Sequence, residues 1–421
     1  MLYPIKMNLK KRLQDIAEFL QPYQRIWQNE IMLMYPNPVQ DYPSDWIDEI
    51  ASVRDKDLII RLEKKDFEGI IQTPTLLSYY KNIDELCLID RAPELPSFPE
   101  TPFSFLYVIP KKQHEIRKLA PFINHLYKVK DAEAIVDIGG GIGLLAQAVV
   151  NHYDLKVISL DMDGELQETG KRRHEKNASN PKNKVQYHKI KVHSDEVAFR
   201  EILKPKMITI GLHTCGPLAN DQLTASASLK VENLINFGCC YHKLSKRDFT
   251  QNLSSFAKSL PFQVDQSPFC LTLASRAHKK MDEKDFDFKI KVKLYRYMMH
   301  FLLTDEYNLP NCTSLGNTAH KVYDQSFGIY ALEQFERIKI TPKHTKEELD
   351  DYFDNSERQE LIQKMLAAGL IRNAMGRLLE LYLLIDRAIF LEEQGYKVEL
   401  MEFFDESISP RNIGIVAERQ K

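Results

Sequence analysis

The feature that most constrains the fold is the stretch from 134 to 146, where an apolar run passes into a glycine-rich segment and then into a helical pattern. The apolar run Ala134–Ile138 predicts a buried strand. It is followed by the glycines Gly139, Gly140, Gly141 and Gly143. Glycine permits positive φ angles and lets a ligand approach the backbone closely. Since the next helix would direct its free N–H groups at that ligand, the stretch predicts a strand–loop–helix binding site.

A second apolar run, from Lys156 to Leu160, ends in Asp161. An acid at the tip of the second strand, about 20 residues beyond a glycine loop, is typical of sites that bind a nucleotide's ribose. We therefore expect a ligand that carries an adenosine. Asp161 would accept hydrogen bonds from both ribose hydroxyls.

Three interpretations of the glycine loop are open. Gly141-Ile-Gly-Leu-Leu-Ala146 fits the dinucleotide pattern of NAD sites, and a glycine turn can also serve only to pack a helix on a strand. Asp137 lies inside the first strand and would repel a pyrophosphate, whereas S-adenosylmethionine has no phosphate and carries a cationic sulfonium and ammonium. The sequence therefore favours S-adenosylmethionine. The predicted cofactor contacts on the loop and strands are Asp137, Gly139, Gly141, Gly143 and Asp161, and His213 after the fourth strand is a further one.

Composition is that of a globular protein, with 43% hydrophobic and 28% charged residues, and 421 residues suffice for two or three domains. The net charge of -2 indicates that any basic surface must be local. The 6 cysteines do not form the pattern of a disulfide framework, so we expect a reducing, cytoplasmic location. The chain has no run of about 18 apolar residues, so we expect no contact with a membrane.

The chain divides into five predicted segments. These are an N-terminal helical region (1–92), a proline-rich linker (93–104), the first part of an α/β core (105–244), a mostly helical insertion on the substrate side (245–372), and a last helix with a terminal hairpin (373–421). Strands are predicted at 134–138, 156–160, 185–190, 207–212, 234–238, 398–404 and 412–417. Alternating strands and helices predict a parallel sheet covered on both faces. A parallel sheet with a terminal antiparallel hairpin is the Rossmann-like α/β fold of class I methyltransferases.

Two polar motifs follow the fourth and fifth predicted strands, at the edge where open α/β sheets bind their ligands. His213 follows the fourth strand and is the candidate general base, because imidazole titrates near neutral pH. Tyr241 and Lys243 follow the fifth strand and could hold or deprotonate a nucleophile. The alternative is that His213 caps a strand end and contacts no substrate.

Zinc-binding residue types are also gathered in these motifs, namely His213, Cys215, Cys239, Cys240 and His242. Their spacing does not form a C-x-x-C pair, and a free cysteine is often a small buried hydrophobe. We therefore predict no metal and expect Cys239 and Cys240 to pack against the cofactor or the sheet.

Basic residues cluster after the fifth strand, with Tyr295 and Tyr297 among them. Positive charge combined with aromatic planes suits single-stranded or looped RNA, which is therefore a candidate partner. The alternation from Lys289 to Leu294 could equally be the solvated face of a strand or helix. The basic residues are Lys243, Lys246, Arg247, Arg276, His278, Lys279, Lys280, Lys289, Lys291, Lys293 and Arg296.

Four segments carry a family resemblance: Lys111-Lys-Gln-His-Glu115, Gly211-Leu-His-Thr-Cys-Gly-Pro-Leu218, Gly238-Cys-Cys-Tyr-His-Lys-Leu244 and Ser409-Pro-Arg-Asn412. In this order they resemble the methyltransferase-like protein 25 family, some members of which are labelled ribosomal RNA adenine dimethylase domain proteins. The resemblance runs from about 105 to the end of the chain. It implies a class I methyltransferase that binds S-adenosylmethionine, but it does not imply a substrate. Lys111 or Lys112 would pair with the carboxylate of the cofactor.

Adenine dimethylases carry an Asn-Leu-Pro-Tyr-like segment after the fourth strand, where this chain has Leu212-His-Thr-Cys-Gly216. Together with Cys239-Cys240, that segment is similar to a tRNA 2'-O-methyltransferase family, which implies RNA, and a ribose hydroxyl, as acceptor. A hydroxyl needs a general base more than an amine does, which would give His213 or Lys243 a role. The predicted function is an S-adenosylmethionine-dependent RNA methyltransferase. The alternatives are a protein or small-molecule methyltransferase and a non-catalytic binding protein on the same fold.

Overall fold

The computed structural model describes residues 7–101, 104–177, 182–244, 252–276 and 283–420, with side chains from 285 onward in the last range. The chain forms two compact units. Unit 1 comprises Met1–Pro22, Leu86–His278 and Arg377–Lys421, and unit 2 comprises Tyr23–Glu85 and Lys279–Gly376. Most of the N-terminal helical region and most of the insertion, which are separate segments in the sequence, thus belong to one unit.

Helices are numbered along the chain. They are α1 (Leu9–Leu20), α2 (Gln24–Gln28), α3 (Ser44–Ser52), α4 (Lys56–Glu63), α5 (Pro74–Leu86), α6 (Pro110–Val129), α7 (Leu144–Tyr153), α8 (Gly164–Asn177), α9 (Val197–Ile202), α10 (Pro217–Ser228), α11 (Ser255–Ser259), α12 (Pro268–Arg276), α13 (Glu283–Asp305), α14 (His320–Tyr323), α15 (Phe327–Arg337), α16 (Lys346–Phe353), α17 (Ser356–Ala374) and α18 (Gly376–Glu393). Short 3₁₀ helices lie at Gln21–Tyr23, Ile31–Met34 and Tyr241–Lys243. No helix among the described ranges has both the length and the apolar character needed to cross a membrane.

The strands of unit 1 are β1 (Ala134–Ile138), β2 (Val157–Asp161), β3 (Val185–Lys189), β4 (Met207–Cys215), β5 (Asn233–Cys239), β6 (Tyr396–Glu402) and β7 (Ile413–Arg419). Within the described residues they form one 7-stranded sheet in the order β3-β2-β1-β4-β5-β7-β6. Neighbours from β3 to β5 are parallel, whereas β7 is antiparallel to both β5 and β6. This arrangement confirms the predicted Rossmann-like α/β fold with a terminal hairpin.

Both faces of the sheet are covered, as the continuous apolar run of β1 requires. Since neighbouring side chains of a strand point to opposite faces, Ile135 and Val136 belong to two different hydrophobic clusters. On the Ile135 face α6 and α7 supply residues such as Leu119 and Val149, and on the Val136 face α9 supplies Phe199. The helices thereby hold the carboxyl ends of the parallel strands at one edge of the sheet.

One strand extends further than the sequence predicts. β4 continues to Cys215, so the segment that the sequence interprets as a loop is largely strand. Its pairing with β5 shifts register between Leu212 and Thr214 and then resumes, with Cys215 opposite Cys239. The extension results from a β-bulge, which inserts one residue without ending the ladder.

Unit 2 is built from helices around an aromatic core. Tyr79 of α5 is buried, and its ring centre lies 5.1 Å from that of Tyr23 and 5.0 Å from that of Trp46. Its hydroxyl donates a 2.7 Å hydrogen bond to the carbonyl of Ile371 in α17. Long-range contacts of this kind join the two chain segments of the unit, so they fold together rather than as two separate domains. The alternating lysines from Lys289 lie in α13, which excludes the strand interpretation.

Candidate functional site

The glycine loop connects β1 to α7 in a conformation that needs glycine. The φ angles of Gly139, Gly141 and Gly143 are 69°, 59° and 69°, in the left-handed region that other residues rarely occupy. A Cβ on Gly139 would lie 2.9 Å from Leu218, and one on Gly143 would lie 2.9 Å from Tyr187. These two glycines are therefore required by packing.

Gly141 differs from its neighbours because no heavy atom of the described residues lies within 4 Å of its Cβ position. The carboxylate of Asp161, at the end of β2, lies beside it and accepts a 2.9 Å hydrogen bond from the Gly141 N–H. The other carboxylate oxygen accepts from the N–H of Asp163 at 2.9 Å. The structure thus places an oriented carboxylate beside the open Cβ position of Gly141.

Asp137 lies beneath the same loop. Only 4% of it is exposed, and a Cβ on Gly140 would meet its Oδ2 at 2.7 Å. Burial raises the pKa of Asp137 to about 7, the nearby positive charge of Lys112 lowers it, and the negative charge of Asp161 raises it further. The loop therefore rests on a buried carboxyl that ionises near neutral pH.

A second buried carboxylate joins three of the motifs. Glu115 of α6 is fully buried, and its Oε1 accepts hydrogen bonds from Nε2 of His213 and from the hydroxyl of Ser409, both at 2.6 Å. The ammonium of Lys112 lies 2.8 Å from its Oε2 and that of Lys111 lies 3.7 Å from its Oε1. Tertiary folding thus brings together residues from the beginning, middle and end of unit 1.

The electrostatics of Glu115 favour its ionised form. Burial alone raises its pKa, but the hydrogen bond from His213 and the charge of Lys112 outweigh burial and bring the pKa to about 2. For His213, burial lowers the pKa although Glu115 opposes that shift. With Nε2 bonded to Glu115, Nδ1 is the nitrogen that can accept a proton.

The backbone at His213 is unusual. Its φ is 63° and it lies at the bulge between Leu212 and Thr214. Positive φ in a non-glycine residue costs on the order of 1–2 kcal/mol and is maintained only where surrounding contacts enforce it. The bulge changes the direction of the backbone at His213 and allows its imidazole to contact Glu115.

The other two candidate catalytic residues lie in different environments. Tyr241 is 0% exposed, and its hydroxyl donates to the Gly238 carbonyl at 3.3 Å and lies 3.4 Å from Glu380. Burial raises its pKa, and the cationic head groups of Arg387 and Arg411 lie near its ring. Lys243 is exposed. Of the pair, only Lys243 is placed where it can reach a substrate.

The three cysteines of the motifs come together at the ends of β4 and β5. The Sγ atoms of Cys215 and Cys239 are 3.1 Å apart, and those of Cys215, Cys239 and Cys240 all lie within 4.8 Å of one another. Donation from the Cys239 thiol lowers the pKa of Cys215 to about 6, with help from Cys240 and Lys243, although burial opposes the shift. The three cysteines therefore form one cluster.

A protein-family profile described as a methyltransferase domain matches residues 111–247. This part of the chain is therefore similar to a methyltransferase domain. A mouse (Mus musculus) protein named "Probable methyltransferase-like protein 25" is 23% identical to it over 229 residues, covering 51% of this chain and 38% of the mouse protein. The human (Homo sapiens) protein of the same name is 21% identical over 228 residues, covering 51% of this chain and 37% of the human protein.

These matches establish relationship to methyltransferase-like proteins, in agreement with the resemblance found in the motifs. The match spans well under half the length of each relative. The matched profile begins at Lys111 and ends at Arg247, so it contains the glycine loop, Asp161, His213 and the cysteine cluster. Ser409, which shares Glu115 with His213, lies outside it.

Only part of the predicted basic cluster lies within the described residues. His242, Lys243 and Arg276 are exposed, and the charges of Arg276, Lys243 and Arg411 all act on His242, so these groups lie near one another. Lys246, Arg247, His278, Lys279 and Lys280 lie outside the described residues. The remaining predicted basic residues, Lys289, Lys291, Lys293 and Arg296, belong to α13 of unit 2.

Glu115 is the main residue of the candidate site that sequence reasoning missed. The sequence assigns its neighbours Lys111 and Lys112 to the cofactor, but Lys112 forms an ion pair with Glu115. A detectable signal was present, because an acid three and four residues after two lysines favours ion pairs on a helix. Its burial and its contact with His213 depend on tertiary structure.

Proposed function

We propose that the chain is an S-adenosylmethionine-dependent methyltransferase. The observation that carries the proposal is the pairing of the open backbone at Gly141 with the carboxylate of Asp161, 2.9 Å from its N–H. Asp137 adds a second carboxyl beneath the loop. Two acids at the loop suit a cationic ligand and oppose a pyrophosphate, because like charges repel in a partly buried site.

The residues present fit that cofactor. Asp161 would accept hydrogen bonds from the ribose hydroxyls, and the backbone of Gly139, Gly141 and Gly143 would lie against the ligand. Asp137, when ionised, would stabilise its positive charge. The bound cofactor would supply an activated methyl group on a sulfonium. Lys111 is the better candidate of the two lysines for its carboxylate, since Lys112 lies closer to Glu115.

We propose His213 as the general base of the methyltransferase. Its Nε2 is bonded to Glu115 at 2.6 Å, so the carboxylate fixes the ring and leaves Nδ1 to accept a proton from the acceptor. This is the arrangement in which an acid orients a catalytic imidazole. Lys243, exposed after β5, would help to hold the acceptor. Tyr241 takes no part in this chemistry because it is buried.

We propose RNA as the acceptor, with a ribose hydroxyl as the methylated group. Support comes from the exposed cations His242, Lys243 and Arg276, which would contact phosphates. A protein or small-molecule acceptor is the alternative. Transfer of tritium from labelled cofactor into a cell extract, followed by separation of RNA, protein and metabolites, distinguishes them. Label in protein or metabolites but not in RNA would overturn the RNA proposal.

Isothermal titration calorimetry with S-adenosylmethionine tests the cofactor proposal and the non-catalytic alternative. We expect binding by the wild-type chain and about 10- to 100-fold weaker binding by Asp161→Asn, because a charge-assisted hydrogen bond contributes about 1.5–3 kcal/mol. Asp163→Asn is the matched control, since Asp163 caps α8 with hydrogen bonds that asparagine can also accept. No binding by the wild type, or equal binding by Asp161→Asn, would contradict the proposal.

A further inference from the structure

We propose that Cys215, Cys239 and Cys240 form a binding site for a zinc ion at the carboxyl ends of β4 and β5. The sequence predicted no metal here, because its spacing lacks the usual cysteine pairs. The inference rests on the tertiary placement of the thiols and does not depend on the identity of the methyl acceptor.

Backbone pairing brings the first two thiols together. Cys215 ends β4, Cys239 ends β5, and the two residues are direct partners in the parallel ladder. The ladder reaches this far only because the strand resumes after the bulge at His213. A rigid two-strand platform therefore holds one pair of candidate ligands, which is how proteins preorganise metal sites.

The third thiol comes from a sharp backbone turn. Cys240 has φ of 49° and ψ of 47°, a left-handed conformation that is uncommon for cysteine. In extended conformation, adjacent side chains such as those of Cys239 and Cys240 would point to opposite faces. The turn instead places the Sγ of Cys240 within 4.8 Å of both other sulfurs. The left-handed conformation of Cys240 thus completes the cluster of three thiols.

The dimensions suit zinc. A tetrahedral ion with Zn–S bonds of about 2.3 Å separates two bound sulfurs by about 3.8 Å. The three sulfurs lie within 4.8 Å of one another, and the pair 3.1 Å apart would need to separate by about 0.7 Å. A side-chain rotation of that size requires no movement of the strands.

Charge also favours an ion bound by three thiolates. Such a complex with Zn²⁺ has a net charge of about −1, and the positive charges of Lys243 and Lys112 both act on Cys215. Carboxylates and carbonyls select Mg²⁺ or Ca²⁺, whereas an all-thiolate set selects zinc and similar soft ions. Cys215 and Cys240 are half-buried, so a fourth position would remain open to water or another donor. Three protein ligands and one open position are typical of reactive rather than purely structural zinc sites.

The test is metal content of the full-length chain purified under reducing conditions, after incubation with Zn²⁺ and dialysis. We expect one zinc ion per chain in the wild type and at least a tenfold loss of bound zinc in Cys215→Ser and Cys240→Ser. Cys312→Ser is the matched control, because Cys312 is also half-buried and free but is not part of the cluster. It should bind as much zinc as the wild type.

Cobalt substitution provides a second, spectroscopic measurement of metal binding by the cysteines. Co²⁺ bound by the wild type should give thiolate-to-metal charge-transfer absorption, which Cys240→Ser should weaken and Cys312→Ser should retain. Circular dichroism checks that each variant is folded. The proposal is overturned if the folded wild type retains no metal, if Cys312→Ser loses as much as Cys215→Ser, or if mass spectrometry finds a Cys215–Cys239 disulfide in place of a metal.

Discussion

The carboxylate of Glu115 accepts a hydrogen bond from Nε2 of His213 at 2.6 Å, across 98 residues of sequence. Glu115 lies in α6, the first helix of the α/β core, and His213 lies at the bulge of β4. Because the same carboxylate also accepts from Ser409, it links three motifs that are distant in sequence. One buried carboxylate therefore holds these three motifs together in the fold.

Glu115 should make the protein less stable as the pH becomes acidic. Its folded pKa of about 2 lies below the ordinary value of 4.5, so its stabilising contribution is present above pH 4.5 and is lost as pH falls toward 2. We expect Glu115→Gln to lower the free energy of unfolding at pH 7 by about 3 kcal/mol and to flatten the acid limb. Urea unfolding between pH 3 and 7 measures this, with exposed Glu168→Gln as control. A variant curve parallel to the wild type would show that Glu115 does not prefer its charged form.

A substitution at Gly141 should distinguish an effect on cofactor binding from an effect on stability. Gly141 and Gly316 both have positive φ, at 59° and 69°, and in the described part of the chain neither has an atom within 4 Å of its Cβ position. Alanine at either position should therefore cost about 1–2 kcal/mol of stability. Only Gly141→Ala should weaken S-adenosylmethionine binding, by about tenfold or more, because its methyl group would occupy the ligand's side of the loop. Equal affinity in the two variants, measured by calorimetry, would place the ligand elsewhere.

Asp137 should make cofactor affinity increase with pH. Burial raises its pKa to about 7, with Lys112 and Asp161 as the other charged groups that act on it. A cationic ligand favours the ionised carboxylate, so affinity should rise about tenfold between pH 6 and pH 8 and then level off. The Asp137→Asn variant should bind S-adenosylmethionine weakly, and its affinity should be nearly independent of pH. Wild-type affinity that stays constant from pH 6 to 8 would argue against a role for Asp137 in binding.

Tyr241 should be a packing residue. Its hydroxyl is buried and bonded to the Gly238 carbonyl, so Tyr241→Phe should lower stability by about 1 kcal/mol through that lost hydrogen bond. Cofactor binding and methyl transfer into the labelled fraction should remain within about twofold of the wild type. Thermal unfolding and the tritium assay measure the two effects. If Tyr241→Phe lost methyl transfer while its stability stayed unchanged, Tyr241 would have a role in the reaction after all.

Much of the fold could be predicted because it depends on local patterns. Short apolar runs bounded by glycine and polar residues identify the strands from β1 to β5. The apolar residues of the last helix, among them the buried Ile385, identify α18. Strand ends were less predictable. The extension of β4 to Cys215 depends on a bulge that pairs it with β5, and no periodicity in the β4 residues reveals that pairing.

The sequence by itself determined the composition and spacing of the glycine loop and its two acids, because Gly139, Gly141, Gly143, Asp137 and Asp161 lie in two short adjacent segments whose spacing is set by one strand–helix–strand unit. Only the tertiary structure decided the roles of Glu115, Tyr241 and the three cysteines. Glu115 is buried because α6 packs on the sheet, Tyr241 because Arg387 and Glu380 of α18 surround it, and the cysteines meet because β4 and β5 pair. These roles depend on burial and on contacts between distant segments, which no local pattern of residues records.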